Sequence, residues 1–216
     1  MASGDHEKNK HHTESDSDDD RVTGLGYKAP QKMDIGSIVA KDEDDESLAR
    51  YKKLLLGNTS DGKQVQKIII EPDDSRTVIP IRITLLFENH KPDVIFDLKG
   101  SIEHIRDLHS KRTITVKEGE QYRTQLEYYV QRDIVTGLKL INKVLKARTI
   151  TVDKSKYMIG SRAPSSDIQT YVSEIEQAPS GMLSRGSFLV KSKLLDDDKN
   201  VYAEWEWNLV IAKDWQ

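Results

Sequence analysis

The sequence contains no cysteine among its 216 residues. This absence excludes disulfide frameworks, thiolate zinc sites and cysteine nucleophiles, and it fits a reducing compartment. No apolar run approaches the roughly 20 residues that a membrane-spanning helix needs. Residues 1–20 carry no apolar core of the kind found in a signal peptide. We therefore expect a cytosolic protein whose contacts with membranes are indirect.

Charge is distributed unevenly along the chain. Residues 1–47 hold 13 acidic and 6 basic side chains, a net charge of −7, whereas the whole chain carries −3. An acidic N-terminal region argues against nucleic acid as a partner and is compatible with a basic one.

Three regions follow from the composition and the hydrophobic pattern. Residues 1–25 lack periodicity and are predicted to be a disordered acidic tail. Residues 26–60 are predicted to form a helical arm, with a short helix from Asp34 and a stronger one from Asp44 or Asp45 to Gly57. Such short helices are marginal alone, so the arm should order on a partner.

Residues 61–216 are predicted to form an antiparallel β-sandwich or barrel. Short apolar or alternating runs are separated by turn sequences, and the predicted strands are 65–70, 78–87, 94–98, 113–116, 122–130, 138–145, 149–152, 188–195 and 201–211. The segment from Ser101 is predicted to be a short helix or a turn. The last strand alternates most clearly, which places Trp205 and Trp207 on a buried face and Tyr202 on the opposite one.

The sequence offers no constellation for catalysis or metal binding. The six histidines match no metal-ligand spacing, and His104 and His109 are expected at the surface. Ser184 does not lie in a nucleophile elbow. We therefore expect no enzyme activity, no metal and no cofactor.

Several segments, taken in order, resemble the Rho GDP-dissociation inhibitor family. The resemblance covers roughly residues 27–216. It is carried by YKAP at Tyr27, KDEDDESLARYKKLLLG at Lys41, KEGEQYR at Lys117, RDIVTGLK at Arg132, DKSKYMIGSRAP at Asp153, EQAPSGMLSRGSFLVKSKLLDDDK at Glu176 and WEWNLVIAKDW at Trp205.

The resemblance implies an immunoglobulin-like sandwich that encloses a geranylgeranyl group, preceded by a helix-loop-helix arm that contacts the GTPase switch regions. The arm residues implied are Tyr27, Asp45, Leu48 and Tyr51. The prenyl-binding residues implied are Ile114, Tyr122, Tyr157, Leu183, Val190, Trp205 and Trp207. An acidic patch near the pocket mouth is implied at Asp153, Glu174, Glu176, Asp196, Asp197 and Asp198.

The function implied is inhibition of GDP release from geranylgeranylated Rho- or Rac-type GTPases, with a preference for their GDP-bound form, and their extraction from membranes into the cytosol. We expect a monomer that forms a 1:1 complex with the GTPase and touches membranes only through this cargo. The alternative is a general carrier of prenylated or acylated proteins, which would need no switch-binding arm.

Overall fold

The computed structural model describes residues 68–88 and 92–215. The tail, the predicted arm helices and the arm residues Tyr27, Asp45, Leu48 and Tyr51 lie outside this range. The strands are β1 Val78–Phe87, β2 Val94–Asp97, β3 Thr113–Lys117, β4 Gln121–Val130, β5 Val135–Lys146, β6 Ile150–Arg162, β7 Gln169–Val172, β8 Glu176–Gln177, β9 Gly186–Leu195 and β10 Val201–Ala212. The α-helix α1 spans Ile102–His109, and a 3-10 turn spans Met182–Ser184.

The strands form two sheets, which confirms the predicted all-β sandwich. The first sheet has the order β2-β1-β4-β7, and β8 also pairs with β4. The second has the order β3-β10-β9-β5-β6. All pairings are antiparallel except that of β3 with β10.

The core lies between the two sheets and is built from alternate residues of the strands. In β4 the even-numbered residues from Thr124 to Val130 are buried, which is the predicted alternation. The facing side chains from the second sheet include Leu140, Leu194 and Trp205. The alternation of apolar and polar residues along the strands thus identified the residues on the inner face of both sheets.

Helix α1 connects β2 to β3 and packs against β10. The Ser101 hydroxyl caps its N-terminus by accepting a hydrogen bond from the His104 backbone N–H. Ile105 and His109, four residues apart, are its buried side chains. The expectation of a surface position was wrong for His109, which is 2% exposed and packs edge-on against Phe96.

Four segments differ from the predicted strands. Residues 68–70 form no strand, because the backbone N–H groups of Ile70 and Glu71 donate to the Gln131 side chain instead of a neighbouring strand. β6 extends far beyond the predicted 149–152, and β7 and β8 were not predicted. The strands β6, β7 and β8 are edge strands or very short strands, in which polar residues mask the alternation of apolar and polar positions.

A β-bulge at the start of β10 changes which side chains are buried. The register of β9 and β10 shifts between Val201 and Ala203, so Tyr202 is buried beside Ala203. The prediction that Tyr202 lies on the polar face was therefore wrong.

Candidate functional site

A cavity lies between the sheets, next to the ends of β1 and β10. Its volume is about 90 Å³, and about 640 Å³ when the part that opens to solvent is counted. The first sheet contributes Leu85, Phe87, Tyr122 and Thr124, the second contributes Val116, Asn142, Val144, Asp153, Ser155, Tyr157, Val190, Trp207, Leu209 and Ile211, and the segment at β8 contributes Glu176, Ala178 and Pro179.

Most of the cavity wall is apolar because it is the inner face of alternating strands. Trp207, Leu209 and Ile211 follow one another on the inner face of β10. Phe87 faces them from the end of β1 and packs edge-on against Trp215. An apolar chain could therefore lie against side chains from both sheets.

One corner of the cavity is polar and is organised around Glu176. The Tyr157 hydroxyl donates to Glu176 Oε2 at 2.9 Å, and the Tyr122 hydroxyl lies 3.4 Å from the same oxygen. Ser173 Oγ lies 3.3 Å from Glu176 Oε1. The Ser173 hydroxyl also donates to the Glu174 carbonyl oxygen at 2.8 Å, so the two tyrosine hydroxyls are the main donors that orient the Glu176 carboxylate at the cavity wall.

Burial determines the protonation of this corner. Removal from water raises the pKa of Glu176 above its ordinary value, although the hydroxyl donors oppose the shift. Burial also raises the pKa of Tyr157 to about 12 and raises the pKa of Tyr122. Both tyrosines therefore remain hydrogen-bond donors, with their rings turned to the apolar space.

No helix in the described ranges is long and apolar enough to cross a membrane. Across the same residues, no group of three or more histidine, cysteine, aspartate or glutamate side chains is placed to hold a metal ion.

Comparison with known proteins identifies the family. A sequence model of the family described as RHO protein GDP dissociation inhibitor matches residues 8–214. The chain belongs to the Rho GDP-dissociation inhibitor family. This match extends farther toward the N-terminus than the resemblance seen in the motifs, since it includes residues 8–26 of the sequence. The family is one of regulatory inhibitors.

Individual family members align over most of their own length. Rho GDP-dissociation inhibitor 1 from Homo sapiens is 35% identical over 192 residues, which cover 89% of this chain and 88% of that protein. A probable rho GDP-dissociation inhibitor from Caenorhabditis elegans is 40% identical over 188 residues, covering 87% and 92%. Rho GDP-dissociation inhibitor 3 from Homo sapiens is 36% identical over 190 residues, covering 88% and 79%.

The seven residues that the family resemblance implied for prenyl binding occupy three kinds of position. Tyr122, Tyr157, Val190 and Trp207 line the cavity. Ile114 and Trp205 are buried in the core and do not line it, and Trp205 packs on Phe96 with ring centroids 6.4 Å apart. Leu183 is 95% exposed in the 3-10 turn, four residues beyond Pro179 of the cavity wall.

The acidic residues implied by the Rho GDP-dissociation inhibitor pattern separate into two groups. Asp153 and Glu176 line the cavity, and Glu174 is exposed two residues before Glu176. The expectation that residues 196–198 lie near the cavity mouth was wrong. They connect β9 to β10 before Val201, and six residues of β10 separate Val201 from Trp207, which is roughly 20 Å along the strand.

Sequence reasoning missed several members of the cavity wall. Leu209 and Ile211 were recognisable, because they continue the inner face on which Trp207 lies. Thr124, Asn142 and Ser155 also face inward, but small polar side chains on strands carry no signal of a cavity. Their position became visible only when the two sheets were paired.

Proposed function

We propose that this protein binds geranylgeranylated Rho-family GTPases, slows their release of GDP and carries them from membranes into the cytosol. The cavity between the sheets, walled by Phe87, Trp207, Leu209 and Ile211, is the observation that carries the proposal. Family membership supports an action on Rho GTPases. The binding partner is expected in its GDP-bound form, in a 1:1 complex.

An exposed lipid gives the physical reason for such a cavity. Transferring a twenty-carbon prenyl chain out of water is worth on the order of 10 kcal/mol. A protein that takes this chain from a bilayer must offer an environment about as apolar as the interior of the bilayer. The inner faces of β1 and β10 supply such surfaces on both sides.

The cavity must widen to take the whole chain. A cavity of roughly 150 Å³ accommodates only a molecule such as benzene, and the volume here is about 90 Å³. The wall at Glu176–Gln177 offers the simplest route, because β8 has two residues and its backbone pairs with β4. Displacing this element breaks a short run of backbone hydrogen bonds, including the one from Ala178 N to Glu120 O at 2.8 Å, together with the bonds from the Tyr157 and Tyr122 hydroxyls to Glu176.

Extraction from liposomes tests the proposal. GDP-loaded Rho or Rac carrying a geranylgeranyl group is bound to liposomes, the protein is added, and the GTPase left in the pellet is measured. The protein should release the lipidated GTPase into the supernatant. If removing the prenyl group does not change binding, or if the GTPase stays on the membrane, the proposal is wrong.

A matched pair of variants tests the role of the cavity. Ser155 faces the cavity from β6, whereas Met158 lies on the same strand with its side chain exposed. Ser155→Trp should fill the cavity and reduce extraction at least tenfold, because the prenyl chain then lacks space. Met158→Trp should extract like the unmodified protein. Equal extraction by both variants would exclude this cavity as the lipid site.

A further inference from the structure

The connection between β5 and β6 exposes apolar side chains. All nine residues from 146 to 154 are exposed, including Ile150 at 62% and Val152 at 49%. Scattered exposed apolar residues are common on soluble proteins. Here two β-branched residues lie two positions apart at a projecting turn, so together they form a small apolar tip.

The same turn carries positive charge. Lys146 and Arg148 are exposed, and neither forms an ion pair with any residue in the described part of the chain.

The turn also retains an unfavourable backbone. Ala147 and Arg148 have φ angles of 50° and 65°, in the left-handed region that glycine and asparagine adopt most readily. A hairpin turn built for stability alone would use those residues. The turn therefore carries a cationic side chain at a position where the backbone conformation is unfavourable.

The turn lies at the cavity end of the second sheet. Val144 of β5 and Asp153 of β6 both line the cavity, and they directly precede and follow the segment 145–152. Anything that the turn touches is therefore close to the cavity.

We propose that the β5–β6 turn docks on anionic phospholipid bilayers, with Ile150 and Val152 entering the interface and Lys146 and Arg148 contacting lipid phosphates. Exposed apolar residues flanked by cations match the chemistry of this interface. This inference rests on the proposed function. Docking brings the cavity to the membrane that holds the prenyl group. It replaces the expectation that membranes are touched only through the cargo.

Vesicle binding by the full-length protein without GTPase tests this docking directly. The protein should sediment with vesicles of phosphatidylcholine and phosphatidylserine, more weakly as salt is raised, and not with vesicles of phosphatidylcholine alone. Removing one cation should lower the partition coefficient roughly fivefold, so Lys146→Glu with Arg148→Glu should lower it by much more. Ile150→Ser with Val152→Ser should weaken binding as well.

Two controls keep the test specific. Lys199 lies in the β9–β10 connection, and Ile168, 50% exposed, lies between β6 and β7. Lys199→Glu and Ile168→Ser should leave vesicle binding unchanged. The proposal is overturned if these controls lose binding as much as the turn variants, or if the unmodified protein does not bind anionic vesicles.

Comparison with GTPase extraction separates this inference from the proposed function. If the unmodified protein extracts prenylated GTPase but never binds vesicles alone, only the docking proposal fails. If it binds vesicles but cannot extract GTPase, the proposed function fails. If the turn variants keep vesicle binding but lose affinity for prenylated GTPase in solution, the turn contacts the GTPase and the docking proposal is wrong.

Discussion

The Asp196 carboxylate, 2% exposed, organises the connection between β9 and β10. Its Oδ1 accepts a hydrogen bond from the Asn200 backbone N–H at 2.9 Å. Its Oδ2 accepts from Asn200 Nδ2 at 2.9 Å and from the Tyr202 hydroxyl at 2.5 Å. These bonds hold the bulged start of β10, and the raised pKa of Tyr202, caused first by burial, keeps that hydroxyl a donor.

Replacing Asp196 should destabilise the fold. Asp196→Ala leaves the buried Tyr202 hydroxyl and the Asn200 donors without their acceptor, and we expect the free energy of unfolding to fall by about 2–4 kcal/mol. Urea denaturation measures the change. Asp198→Ala, at an exposed position in the same run, should change stability by less than about 0.5 kcal/mol. Similar losses in both variants would contradict this role.

The sequence could not distinguish these aspartates. Three consecutive acidic residues before a lysine are typical of a solvated turn, and strict alternation places Tyr202 on the polar face of β10. One extra residue in the pairing with β9 reverses that orientation. A bulge depends on the partner strand, so hydrophobic periodicity within one strand does not reveal it.

At the scale of elements, His109 anchors helix α1 to the first sheet. Its Nε2–H donates to the Asp97 carbonyl oxygen at 2.7 Å, while its buried Nδ1 has no hydrogen-bond partner. Burial, and more weakly the charge of Arg112, lowers the pKa of His109 below its ordinary 6.5. Protonation would place a second positive charge near Arg112 in a site with no acceptor for it.

The attachment of α1 should therefore depend on pH. Because the unfolded chain takes up the His109 proton at a higher pH than the folded one, its stabilising contribution is present above about pH 6.5 and is lost as the pH falls below that value. His109→Gln keeps a donor for Asp97 and should remove this dependence. Hydrogen exchange of the α1 amides, measured between about pH 7 and about pH 5, reports it.

His104 provides the matched control on the same helix. Its side chain is exposed, so His104→Gln should retain the pH dependence of the unmodified protein. If exchange in α1 responds to pH equally in His109→Gln and His104→Gln, the buried imidazole is not its cause.

The strands show which elements hydrophobic periodicity can predict from the sequence. β4 and β10, in the interior of their sheets, were predicted almost to their ends because one face of each is buried. β6 was predicted only in part, since it is an edge strand and its central run of Asp153 to Lys156 is charged or polar. Edge strands need no apolar face over their whole length, so the alternation fades there.

At the scale of the whole molecule, the sequence indicated the sandwich and the face on which a cavity could form, but not its depth. Trp205 and Trp207 share that face, yet Trp207 lines the cavity while Trp205 is sealed in the core against Phe96. Where the two sheets separate depends on which residues of the opposite sheet face each position. That information lies in long-range packing.

The arm and the sandwich should be separable in function. If the arm contacts the switch regions and the sandwich holds the lipid, Asp45→Ala should weaken inhibition of GDP release more than lipid capture, because it leaves the cavity unchanged. Ser155→Trp should do the reverse. Release of a fluorescent GDP analogue and transfer of prenylated GTPase from vesicles measure the two activities.

Equal loss of both activities in either variant would contradict this division of labour. Deletion of residues 1–57 provides the stronger test, since it removes the arm whose helices the sequence predicts. The truncated protein should still bind a prenylated chain but should no longer prefer Rho-type GTPases or slow GDP release. Undiminished preference would mean that selectivity resides in the sandwich, and the protein would then act as a general carrier of lipidated proteins.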